Sequence, residues 1–279
     1  MKNFFDSVSY ECSKLVTQRY STSFTLGTRM LASKYQKHIY NIYGFVRFAD
    51  EIVDSFHNFD KKNLLKRFET DLAHGLENKI SLNPILNSFQ YTVHQNNIQQ
   101  DLIDAFLKSM KMDLYKQKYS TKEEYQEYIY GSANVVGLMC LNVFVEGDLD
   151  KFERLKPQAM ALGSAFQKVN FLRDLNADFE FLDRTYFPNL NLTEFDEKSK
   201  ASIIADIEKD FDHALEGIFM LPENARLGVY TAYEYYRKLL VKLKKTPSNK
   251  IQSARIRVPN YQKMSLLARS YIKFHLNLL

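Results

Sequence analysis

Residues 43–56 read YGFVRFADEIVDSF. Phe45, Phe48, Ile52, Val53 and Phe56 recur at helical spacing, so the stretch predicts a helix with an apolar face. Yet it also carries Asp50, Glu51 and Asp54. Asp50 and Asp54 are four residues apart, which places them on one face, about 6 Å apart along the axis. Taken alone, the pair reads as a solvated polar face, since like charges at that spacing repel only weakly in water.

The same period runs along most of the chain. It predicts helices at 6–19, 35–56, 61–77, 83–95, 99–117, 121–145, 151–181, 200–219, 223–245 and 261–277. Thr121 with Glu124 three residues later has the pattern of a capping box. Only 9 Gly and 6 Pro interrupt 279 residues, so breakers are scarce. There is no strand-like alternation, no repeat and no dividing linker. The expectation is one all-α domain spanning residues 1–279, with about ten helices.

Composition narrows the function. The net charge of +5 is mild, and "KLKK" at 242–245 is the densest basic run, so nucleic-acid binding is not expected. An anionic small substrate or an acidic membrane surface suits this balance. Cys12 and Cys140 have neither disulfide nor metal spacing, and His38, His57, His94, His213 and His275 have no ligand spacing. The longest apolar run, 135–145, is too short to span a bilayer, and the N-terminus has no secretory pattern. A cytoplasmic location is therefore expected. The 21 Phe and 18 Tyr are a heavy aromatic load that any functional reading has to explain.

A second acidic stretch, FQKVNFLRDLNADFEFL, covers 166–182. Asn170, Asp174 and Asp178 step by four within an arc of about 80°. Gln167 and Arg173 lie beside them among Phe166, Val169, Phe171, Leu172 and Leu175. Two carboxylate pairs on apolar helices differ from one. Facing each other in a bundle, they would repel strongly unless a cation joined them. Oxygen donors of this kind suit Mg²⁺, or Mn²⁺ in its place, with substrate phosphates completing the shell. Asp50, Asp54, Asn170, Asp174 and Asp178 are the expected metal ligands.

These stretches, with YSTSF at 20–24, YGSANVVGLM at 130–139, RTYFP at 184–188 and RIRVP at 255–259, resemble the squalene/phytoene synthase family in order and context. The likeness extends over nearly the whole chain and is nearest to the bacterial phytoene-forming members of Bacteroidetes type. Departures are small. Glu51, Ala177 and Asp183 stand where the family often has Asp, Glu and Gly.

The resemblance implies the all-α isoprenoid synthase bundle around a central cavity. It implies head-to-head condensation of two prenyl diphosphates through a cyclopropyl diphosphate, giving phytoene when the substrate is geranylgeranyl diphosphate. It implies Asp50, Asp54, Asp174, Asp178, Tyr130 and Arg173 as catalytic residues. Ser21, Ser23, Arg47, Gln167, Arg173, Tyr236 and Arg255 are implied around the diphosphates, with the two serines in a flexible loop. A carbocation needs a dry pocket with aromatic faces. Phe24, Tyr43, Tyr130, Phe166 and Tyr186 are the candidates, with Ala133, Val136, Gly137 and Leu138 lining a hydrocarbon channel.

Three alternatives stand beside this. The same fold makes squalene or dehydrosqualene from farnesyl diphosphate, and only squalene needs NADPH. A non-catalytic assembly protein would be expected to lose motif aspartates, which this chain keeps. A cyclising terpene synthase fits the YGSANVVGLM and RTYFP contexts less well. The amphipathic C-terminus, KMSLLARSYIKFHLNLL, suits a capping helix or, at the inner membrane, a peripheral contact.

Overall fold

Helix follows helix from the first residues. The computed structural model describes residues 1–182, 186–188 and 195–276, without the side chains of 177–182. The helices are α1 (Lys2–Tyr20), α2 (Thr22–Arg29), α3 (Ser33–Asp54), α4 (Lys61–Asn78), α5 (Pro84–Gln95), α6 (Gln100–Met112), α7 (Lys122–Ile129), α8 (Val135–Phe144), α9 (Leu149–Leu182), α10 (Glu197–Met220), α11 (Glu223–Lys245), α12 (Ser248–Ile251) and α13 (Asn260–His275). No strand occurs among the described residues.

Three expectations are corrected. The sequence reading missed α2, because Thr and Ser dilute the apolar pattern of TSFTLGTR. The backbone accommodates them locally. Ser21 caps the helix by accepting from Phe24 N at 3.2 Å, while Thr25 and Thr28 donate to the carbonyls of Ser21 and Phe24. Ser21 and Ser23 thus lie at a helix start and not in a flexible loop. Next, the expected helix 121–145 is interrupted by a π turn at Tyr130–Asn134. Here a Cβ on Gly131 would meet the Ala105 carbonyl oxygen at 2.6 Å, so the turn sits where α6 comes too close for any side chain. Finally, the expected helix 99–117 stops at Met112. The capping box at Thr121 and Glu124 forms as read, with Glu124 N donating to Thr121 Oγ1 at 3.1 Å.

The aromatic load packs two apolar clusters. In one, Phe45 stacks on Phe89 at 3.9 Å and tilts against Phe106 at 5.2 Å, between α3, α5 and α6. In the other, Phe171 stacks on Tyr186 at 3.8 Å, and Phe211 meets Tyr233 edge-on at 5.4 Å. The long α9 packs along α10, α8 and the π turn, while α11 packs on α2, α9, α10 and α13. α13 lies on the outside of α11, with Ser270 as its one buried residue. No described helix is long and apolar enough to cross a membrane.

Candidate active site

Where the two clusters meet, α2, α3, α8, α9, α10 and α11 enclose a cavity of about 420 Å³. Its two ends differ. Arg47 and Asp50 from α3, Asn170 and Arg173 from α9, Tyr236 from α11 and Arg255 beyond α12 gather at one end. Ile39, Leu141, Phe144, Leu155 and Leu221 line the rest.

The polar end is built from close contacts between charges. Arg47 Nη1 lies 3.2 Å from Asp50 Oδ2, and Nη2 donates to the Tyr43 hydroxyl at 3.3 Å. The guanidinium also stands 5.2 Å over the Tyr20 ring. Burial opposes its charge, but Asp50, Tyr43 and Glu51 outweigh that and raise its pKa, so Arg47 stays a cation. Its Nε is buried and has no hydrogen-bond partner among the described residues. Such an orphaned donor beside a cavity calls for an acceptor from outside the chain.

On α9, Arg173 forks onto Asp174, with Nε donating to Oδ1 at 2.9 Å and Nη2 bonded to Oδ2. Arg255 comes from the other side, its Nε 2.7 Å from Asp174 Oδ1 and its Nη2 donating to Oδ2 at 3.2 Å. Asp174 is thus clasped by two guanidinium groups. Burial again opposes the charge on Arg173, and Asp174 more than restores it. Tyr236 stacks on Phe166 at 4.0 Å, and its hydroxyl donates to Asn170 Oδ1 at 3.4 Å. Burial first of all raises the Tyr236 pKa. Gln167 Nε2 donates to Ser132 Oγ at 3.4 Å.

One cation at this end was not found from the sequence. Lys263 on α13 donates to Thr22 Oγ1 at 2.8 Å and sits 5.4 Å over the Tyr235 ring. Burial, then Arg257 and Arg173, push its pKa down, which marks a crowd of positive charge. Lys263 lies 90 residues from Arg173, so no local motif joins them.

Ser21, Phe24, Tyr43, Ala133, Val136, Gly137, Phe166 and Gln167 stand on the wall as expected, together with all six residues of the polar end. Others do not. Tyr130 and Leu138 fall off the wall, because Tyr128, Ser132, Val136 and Cys140 hold the inward phase through the π turn. Leu138 is instead fully buried in the core. Tyr186 is one layer back, stacked at 5.3 Å on Tyr128, which does line the cavity. Ser23 is in the first turn of α2, off the wall, and Asp54 is the last residue of α3, also off it. The side chain of Asp178 lies outside the described residues.

Residues 17–262 match the squalene/phytoene synthase family. The chain belongs to that family. It is 28% identical over 297 residues to a phytoene synthase of Arthrospira platensis, covering 96% of this chain and 94% of that one. It is 28% identical over 266 residues to a 15-cis-phytoene synthase of Synechococcus elongatus, covering 84% and 83%. Among solved structures, a dehydrosqualene synthase in complex with ligand superposes with a TM-score of 0.82 at 22% identity, over 96% of this chain and 98% of that one. That likeness places the bundle in the isoprenoid synthase fold, as the sequence implied.

Proposed function

We propose that the chain is a phytoene synthase, a prenyltransferase that joins two geranylgeranyl diphosphates head to head. The observation that supports it is the polarity of the cavity, with its cations and hydrogen-bond donors at one end and apolar wall elsewhere. It suits an amphiphile with an anionic head and a long hydrocarbon tail. The phytoene synthase relatives named above support the same reading.

In the first half-reaction the allylic C–O bond breaks, and its electron pair leaves with diphosphate. The second molecule's double bond attacks the cation and a proton is lost, giving the cyclopropyl diphosphate. In the second half, that C–O bond breaks, the carbon skeleton rearranges, and loss of a proton forms the central double bond of phytoene. Arg47, Arg173 and Arg255 stabilise the charge that grows on the departing diphosphate, acting in a partly water-excluded site where such contacts are strong. Arg173 and Arg255 each use two of five N–H donors on Asp174 and present the rest. Phe24 with Tyr43 (ring centroids 4.8 Å apart) and Phe166 with Tyr236 offer ring faces to the carbocation. Apolar packing around them excludes the water that would quench it.

Among the described residues no three of Asp, Glu, His and Cys gather into a ready metal cage. The wall presents hard oxygens singly, Asp50 from α3 and Asn170 from α9. That fits Mg²⁺, which takes few protein ligands and completes its shell with water and phosphate oxygens. Asp50 and Asn170 would hold it, with Asp54, Asp174 and Asp178 as the further donors named by the two motifs. Bound there, Mg²⁺ supplies Lewis-acid neutralisation of diphosphate charge. The exposed Tyr261, Met264, Tyr271 and Ile272 of α13, with Arg269 and Lys273, suit a peripheral membrane contact near which prenyl substrates partition.

Purified protein with Mg²⁺ and C20 diphosphate, with or without NADPH, is expected to release a C40 hydrocarbon. A C30 product from C15 diphosphate with none from C20 would overturn the phytoene assignment in favour of squalene or dehydrosqualene. No hydrocarbon from either would overturn the prenyltransferase reading itself.

A further inference from the structure

One notch in the cavity wall is formed where α2 and α11 come closest. α2 runs inward from Ser21 at the polar end to Leu31 just past its C-terminus, ten residues or about 15 Å of helix. α11 runs beside it, from Tyr236 at the polar end back to Gly228, eight residues or about 12 Å. Leu31 and Gly228 therefore meet at similar depth. The wall continues deeper, because α9 lines it from Arg173 back to Leu155, about 27 Å.

At that meeting point Leu31 occupies the space of a missing side chain. A Cβ on Gly228 would lie 2.4 Å from Leu31 Cδ2, 2.6 Å from Cγ and 2.9 Å from the Gly27 carbonyl oxygen. Gly27 is opposite, where a Cβ would stand 3.3 Å from the Gly228 carbonyl oxygen. The two backbones are thus almost in contact and Leu31 is nested against them, 6% exposed. Its side chain is a flexible end, while the Gly27 carbonyl is fixed by its helix. Added volume at Gly228 pushes Leu31, and the empty space beside Leu31 is the cavity.

We propose that the Leu31–Gly228 notch sets the prenyl chain length the enzyme accepts. With Leu31 nested on Gly228, the cavity stays open past this depth and admits the longer tail. With Leu31 swung inward, the cavity narrows partway down, which obstructs a C20 tail more than a C15 tail. This rests on the reading of the cavity as the site of the prenyl tails.

The test compares wild type, Gly228→Ala, Leu31→Ala, Leu31→Phe and the double variant Gly228→Ala/Leu31→Ala. Each receives C15 and C20 diphosphates separately with Mg²⁺, and the C30 and C40 hydrocarbons are quantified. Gly228→Ala is expected to lower the C40-to-C30 ratio at least tenfold, and the double variant to restore it, since the displaced side chain is then absent. Leu31→Phe fills the same space without adding an atom to α11 and is expected to shift the ratio in the same direction, so it carries the test if Gly228→Ala does not fold. An unchanged ratio in Leu31→Phe, or a double variant as biased as Gly228→Ala, would overturn the notch. A wild type that makes neither hydrocarbon overturns the phytoene reading instead, which keeps the two failures apart.

Discussion

Arg47 and Asp174 show what single side chains contribute. Each is half-buried in an ion pair, and among the described residues Arg47 Nε has no hydrogen-bond acceptor. Asp50→Asn or Asp174→Asn should lower product formation at least a hundredfold, the scale of losing one electrostatic contact to developing charge. The far-ultraviolet circular dichroism should be unchanged. Full activity in either variant would refute the assigned roles. Most of this end was legible in sequence, because polar residues at helical spacing on apolar helices have few structural reasons to be there. Asp50 and Asn170, read from the paired polar spacing, and Arg47, Gln167 and Arg173, implied by the family resemblance, all stand on the wall. Lys263 was not legible, since the fold alone brings α13 to the start of α2. Nor was the double clasp on Asp174, which depends on Arg255 arriving from 81 residues away.

At the scale of elements, the π turn decides which residues reach the cavity. The family resemblance implied Tyr130 at the site, whereas across the π turn it is Tyr128 that lines the cavity. Tyr128 donates to buried Asp113 Oδ2 at 2.9 Å. Tyr128→Phe removes that donor and should destabilise the protein by about 1–3 kcal/mol, read as a shift in urea midpoint. Tyr130→Phe should change stability by less than about 0.5 kcal/mol and keep at least half the activity. Equal effects of the two would mean the phase of the turn is misassigned. The neighbouring seam is as tight. A Cβ on Gly163 would meet the Ala133 carbonyl at 2.7 Å, and one on Gly137 the Ala159 carbonyl at 2.9 Å. Gly163→Ala must part the π turn from α9 and should lose about 1–3 kcal/mol in the same assay. Long helices were legible from period alone. α2 and the π turn were not, because hydroxyl-rich and glycine-containing turns depend on partners elsewhere in the bundle.

For the molecule as a whole, acid is a weak point. His38 accepts or shares hydrogen bonds with Thr92 Oγ1 at 3.1 Å and Asn96 Nδ2 at 3.2 Å. Burial, and then Lys37, lower its pKa from 6.5 to about 4. The unfolded chain therefore takes up a proton near pH 6.5 that the folded chain takes up only near pH 4. Stability is full above that window and falls as pH drops through it, by about 3 kcal/mol at most. His38→Gln should flatten the pH dependence of the urea midpoint between pH 6.5 and 4, and an unchanged slope would show that other groups carry it. The all-α architecture was legible because scarce breakers and helical period agreed, while the central cavity came from the family resemblance. The seam of glycines along α8, α9 and α11 has a further consequence for how this protein can change. Glycine has no smaller replacement, so at these positions one mutation can only shrink the cavity. Lineages that need a roomier chamber must carve it at larger wall residues, such as Ile39, Ile42 and Phe144, while lineages that need a tighter one have several single-step routes.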